Sequence, residues 1–107
     1  RESEAMLAAA RSRREASTNQ VLAELAENLA GIDGARRIEA LATDDLLPEA
    51  ELTFKAALAG YENGKLDFAT LLDAQRQIRQ ARQEQIKAQA EGQARLAEVE
   101  RLLGEDL

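Results

Sequence analysis

From Arg1 to about Ala30 the chain holds neither proline nor glycine and is built from good helix formers, which predicts one long helix. Its large apolar residues are Met6 and Leu7, then Val21, Leu22, Leu25, Leu29 and Ile32, the last four at intervals of three, four and three. That spacing makes a narrow seam of coiled-coil type. Between Leu7 and Val21 only Ala8, Ala9, Ala10 and Ala16 carry the seam, so a partner there must approach closely.

Gly31, Asp33 and Gly34 interrupt this pattern, and the run from Ala42 to Pro48 breaks it again. Proline lacks an amide proton and restricts the residue before it, but is tolerated in a helix's first turn. A broken stretch is predicted around 31–48, with room for a short helix over Ala35 to Leu41. Asp44 or Asp45 then serves as N-cap for a helix from about Leu46 to Glu62. Asn63-Gly64 is the strongest turn signal in the chain, because both residues accept positive φ. Asp67 can cap a final helix that runs to about Leu103, with Gly92 inside it and Gly104 ending it. Those residues span ~55 Å at ~1.5 Å each, longer than a compact domain of this size requires. The fold class is all-α: a long, coiled-coil-like antiparallel hairpin with one arm broken around 31–48.

Gln75 to Arg95 contains only two large apolar residues, Ile78 and Ile86, while Ala74, Ala81, Ala88, Ala90 and Ala94 recur through the same helix. A helix packed on a globular core would show a stripe at least ~100° wide. The pattern instead suits a helix wet on two opposite faces with thin lateral seams, as in a wall one helix thick. A lone hairpin exposes at least one seam, so self-association is expected.

Composition sharpens this picture. Of 107 residues 45% are apolar, but aromatics are only 3% and the apolar total leans on alanine, while 32% are charged. There is no cysteine and no histidine, which removes disulfide scaffolds, zinc fingers, thiolate chemistry and histidine acid–base catalysis; no enzyme and no cofactor is expected. A net charge of −6 with interspersed basic residues argues against nucleic-acid binding. No segment reaches the ~20 apolar residues of a bilayer-crossing helix. No signal-peptide pattern is read in these residues, and the start on Arg1 suggests a piece of a longer chain. Asp44, Asp45 and Glu49 lack the spacing of a calcium loop and read as capping and solvation, with no metal site implied. Arg76, Arg79, Arg82 and Lys87 read as a solvated face or as ion pairs.

One segment carries more. Leu46-Leu47-Pro48-Glu49-Ala50-Glu51 is followed by Tyr61-Glu62-Asn63-Gly64-Lys65-Leu66-Asp67-Phe68-Ala69-Thr70-Leu71-Leu72-Asp73-Ala74-Gln75-Arg76. This run, with Tyr, Gly three residues on, an apolar residue four beyond and then Leu-Asp-Ala-Gln-Arg, resembles the second half of TolC-like outer-membrane factors, the exit ducts of bacterial tripartite efflux and type I secretion systems. The resemblance extends more weakly over the alanine-rich entry helix and the closing Leu96 to Gly104.

The resemblance implies one helical hairpin of a periplasmic α-barrel in the outer-membrane protein of a Gram-negative bacterium. Residues 1–30 would descend, 31–48 would be equatorial, 46–62 would reach the tip, 63–67 would turn and 67–103 would ascend. It further implies a trimer in the intact protein, a periplasmic adaptor (membrane fusion) protein as partner and an inner-membrane transporter of the resistance-nodulation-division type. Gly64, Lys65, Leu66 and Asp67 are the implied adaptor contacts. Tyr61 and Asp73 match the family's gate, but Leu66 and Thr70 stand where a basic and an acidic residue belong, with Lys65 only adjacent, which weakens the case for a salt-bridge lock. Asp73 reads either as an acidic ring or as a surface ion pair. The Leu-Leu-Pro break and the Glu-Arg-Leu-Leu-Gly ending lean toward the heavy-metal cation efflux branch. The same residues also provide for turn formation and hairpin packing, with Phe68, Leu71 and Leu72 set against Phe54, Leu58 and Tyr61. A second reading, a stand-alone coiled-coil hairpin acting as scaffold or binding module, accounts for the periodicity but not for the Tyr61 to Arg76 run.

Overall fold

The computed structural model describes residues 1–106. Three helices make a two-armed hairpin: α1 (Glu2–Leu41), a π-helical turn (Ala42–Leu46), α2 (Leu47–Glu62) and, after the reversal, α3 (Phe68–Asp106). Its extents are 90 × 19 × 15 Å. With a helix ~10 Å across, that is two helices wide and one thick.

The arms differ in length. The arm that runs from α1 through α2 down to the reversal, the descending arm, has 40, 5 and 16 residues in its three parts, whereas α3 has 39. At ~1.5 Å per residue the first arm overshoots α3 by roughly 30 Å. This overhang is the first half of α1, where Met6 and Leu7 are 70% and 57% exposed.

The seam between the arms is built mostly from alanine. Ala35, Ala42, Ala50 and Ala57 on the descending arm and Ala74, Ala81 and Ala88 on α3 are all buried, joined by Ile32, Val99 and Leu102. Small side chains allow two backbones to approach closely, so the seam gains from dispersion contacts over its length more than from bulk at any one point.

The interruption of the descending arm falls within 31–48 but is far narrower than that stretch. Helix α1 runs through Gly31 and Gly34 to Leu41, absorbing the separate short helix expected over 35–41. Two helical glycines cost about 1 kcal/mol each. Burial of Asn28, Ile32 and Ala35 against α3 offsets that local cost. The expectation that Asp44 or Asp45 caps α2 is corrected: neither side chain makes a cap bond, and Leu46 already has helical φ −65 and ψ −46. Because the chain never leaves helical geometry, the π turn presents no chain end for a side chain to cap. Pro48 sits in the first turn of α2, where its missing amide is tolerated.

Gly104 does not end α3, which continues to Asp106. Arg101 bridges Glu98 and, at 2.9 Å, Glu105, spanning the final turns. Such pairs at i,i+3 and i,i+4 support a helix locally.

Candidate functional site

The reversal between α2 and α3 holds most of the residues singled out in the sequence. Helix α2 closes with a Schellman arrangement: the Lys65 amide donates to the Gly60 carbonyl at 2.8 Å and the Gly64 amide to the Tyr61 carbonyl at 3.0 Å. Gly64 has φ +70, and among the described residues it alone has positive φ. Asn63, which could have shared that role, stays at φ −89.

Leu66 turns back over the end of α2. Its amide also donates to the Gly60 carbonyl, at 3.2 Å. Its side chain lies so close to Gly60 that a Cβ there would sit 2.7 Å from Leu66 Cδ1. Next, Asp67 caps α3 as its sequence position predicts. Asp67 Oδ1 accepts from Thr70 Oγ1 at 2.6 Å and from the Thr70 amide at 2.9 Å. The hydroxyl bond, then the amide bond, holds the Asp67 carboxyl below its ordinary value of 3.8.

Tyr61 and Phe68 flank the turn from opposite arms, with ring centroids 5.9 Å apart and planes tilted by 52°. That separation and tilt fall within the favourable range for aromatic pairs. Phe54 and Leu71 are half-buried nearer the seam, whereas Leu58 and Leu72 stay 38% and 39% exposed. Lys65 and Asp73 are exposed. Asp73 accepts from Gln77 Nε2 at 3.3 Å, one turn along α3, and forms no ion pair among the described residues. The structure thus brings Tyr61, Gly64, Lys65, Leu66 and Asp67 together at one end of the molecule, with Asp73 about two turns up α3. Arg76, Arg79, Arg82 and Lys87 are exposed on the same helix and pair with no acid within the hairpin among the described residues.

A second polar group lies on the seam and was not anticipated. Arg95 crosses α1 at Gly31, where a Cβ would lie 2.8 Å from Arg95 Nε. Its guanidinium donates to Asn28 Oδ1 at 3.3 Å and to Glu91 Oε1 at 2.9 Å, while Asn28 Nδ2 donates to the Glu24 carbonyl at 2.9 Å. Gln89 to Glu39 at 3.0 Å and Gln85 to Thr43 at 2.8 Å extend this ladder of cross-arm bonds toward the π turn. The available signal was Arg95 itself, a long polar residue at the seven-residue interval of the alanines.

These features define a class: a long, thin helical hairpin with a tightly built reversal and a polar-laced alanine seam. Its sequence matches the family model described as outer membrane efflux protein over residues 1–105, and the chain belongs to that family. No curated protein and no solved structure matched it. Among the described residues, no helix is long and apolar enough to cross a membrane.

Proposed function

We propose that the chain is one periplasmic hairpin in the wall of an outer-membrane export duct, a passive conduit whose reversal docks a periplasmic adaptor protein. The observation that carries this reading is shape joined to surface: a body 90 Å long and 15 Å thick, with large apolar residues left exposed along both arms. Leu22, Leu29, Ile38, Leu41, Ile86 and Leu96 are each between 44% and 63% exposed. Neighbouring hairpins in a closed trimeric barrel would cover such residues, and the polar faces would meet the periplasm outside and the lumen within. Membership of the outer membrane efflux protein family supports the same reading.

In this arrangement the equatorial region holds the π turn, and Gly64, Lys65, Leu66 and Asp67 form the periplasmic tip. Tyr61 and Asp73 face the closing point of the duct, where repetition around the trimer would turn the exposed Asp73 into an acidic ring. An inner-membrane transporter of the resistance-nodulation-division type would drive export through the adaptor, and the heavy-metal cation branch is the sub-family toward which the sequence leans. A free-standing scaffold would account for the periodicity but not for the family match over residues 1–105. Single cysteines at Lys65 or Asp67 of the intact protein, expressed with its adaptor, test the tip. Crosslinks to the adaptor's hairpin are expected, and their absence in cells with active efflux overturns the assignment.

A further inference from the structure

The two arms keep different counts along their shared seam. On α3, Ala74, Ala81, Ala88, Arg95 and Leu102 follow an unbroken interval of seven, with every member buried or half-buried. On the opposite arm the buried series is Asn28, Ala35, Ala42, Ala50 and Ala57, at intervals of seven, seven, eight and seven. The alternate seam positions repeat the irregularity: Leu25, Ile32 and Glu39 are spaced by seven, Leu47, Phe54 and Tyr61 by seven, and Glu39 to Leu47 by eight. Both eights span the π turn, Ala42–Leu46.

One residue of α-helix turns the chain by ~100°, so an uncorrected extra residue would swing everything below it off the seam. Ala50 and Ala57 are nevertheless only 7% and 5% exposed. The rotation has been taken up locally. A π turn does this by closing its bonds over five residues instead of four, so that one more residue is housed within the helix.

We infer that the descending arm carries one supernumerary residue within Ala42–Leu46, a skip in its seven-residue repeat, and that this turn is the arm's hinge. Its surroundings fit that role. An open groove of about 610 Å³, lined by Leu46, Glu49, Thr53, Gln80 and Glu84 among others, lies beside it and leaves space for the arm to bend. On its other side the bond from Gln89 ties Glu39, just above the turn, to α3, and the bond from Gln85 anchors the start of the turn at Thr43, so bending is directed toward the reversal side. Helices kink at π turns because the regular bond ladder is broken there.

The test is deletion of Asp45, which is exposed and lies inside the turn. It is made in the intact protein carrying either of two cysteine pairs. Ala35→Cys with Gly92→Cys lies above the turn, where the Ala35 Cβ would be 3.6 Å from a Cβ at position 92. Ala50→Cys with Ala81→Cys lies below it. Both pairs are expected to crosslink as well with the deletion as without it, while deletion of Gln83 from the unbroken repeat of α3 loses one pair. Loss of either pair on deleting Asp45 overturns the skip. Hydrogen exchange of the otherwise unaltered protein supplies an independent reading. Amides in 42–47 should exchange at least about tenfold faster than those of 35–41 and 50–57, and the excess should vanish on deletion. Uniform exchange along the arm overturns the hinge.

Discussion

The side chain of Leu66 lies over the bare Cα of Gly60, with Cγ and Cδ1 at 2.8 Å and 2.7 Å from where a Cβ would project. The Gly60 carbonyl simultaneously accepts from the Lys65 and Leu66 amides. The glycine therefore serves the turn by what it lacks: its missing side chain is the seat of Leu66.

Replacing Gly60 with alanine sets two effects against each other. Alanine favours the helix by about 1 kcal/mol. The new methyl, however, meets Leu66 near its branch point, which a rotation of the terminal methyls alone does not relieve. Gly60→Ala should destabilise the hairpin in the natural background and be neutral or stabilising when Leu66→Ala is also present. Thermal denaturation of the four proteins gives the coupling directly, and equal effects in both backgrounds would dismiss the seat.

Gly64 poses a different problem, since nothing lies within 4 Å of a Cβ built on it. Its φ of +70 is the sole obstacle to a side chain. Gly64→Ala should cost about 1–2 kcal/mol, the ordinary penalty of the left-handed region, and Gly64→Asn less. Denaturation midpoints in that order are expected; an alanine variant as stable as the natural protein would mean that the turn relaxes.

Much of this was legible in the sequence because it depends on local chemistry. Asn63-Gly64 marked the reversal, Asp67 the cap of α3, and the thin apolar pattern a hairpin instead of a globular core. What sequence could not assign was decided across the seam. Gly31 and Gly34 read as breakers because local propensity opposes helix, yet burial of Ile32 and Ala35 against α3 carries α1 through them. Asp44 and Asp45 read as caps because a break was expected there, and a π turn absorbed the irregularity without ending the helix. The Asn28–Arg95 bond joins residues 67 positions apart, a pairing fixed by the register of the two arms and invisible to either alone.

The Asp67 cap gives a pH dependence with a definite sign. The Thr70 bonds lower the folded-state value below 3.8, so the stabilisation is fully present above that ordinary value and is lost as pH falls through the lowered one. Asp67→Asn keeps an acceptor oxygen and should flatten this part of the acid profile, while Thr70→Val removes the stronger bond and should move the Asp67 titration back toward 3.8. Denaturation followed as a function of pH reads the first, and carboxyl-carbon NMR titration of Asp67 between about pH 6 and pH 2 reads the second. An Asp67 value unchanged by Thr70→Val would show that the hydroxyl is not its main partner.

The alanine seam makes the sharpest demand on side-chain size. Ala81 is 6% exposed in the middle of α3, with a regular repeat of small residues on either side of it. Leucine at this site adds three carbons to a buried position of the seam, and overpacking of that kind costs about 1–3 kcal/mol. Helix propensity barely distinguishes the two residues, so the penalty isolates packing. Ala90, exposed on the same helix, is the matched control, and Ala90→Leu should stay within about 0.5 kcal/mol of the natural protein. The two variants have the same composition, which removes general hydrophobicity as an explanation. Denaturation of both, with crosslinking of Ala35→Cys to Gly92→Cys to report whether the arms still meet, separates a rigid seam from a forgiving one. If Ala81→Leu is tolerated as well as Ala90→Leu, alanine does not set the spacing between the arms.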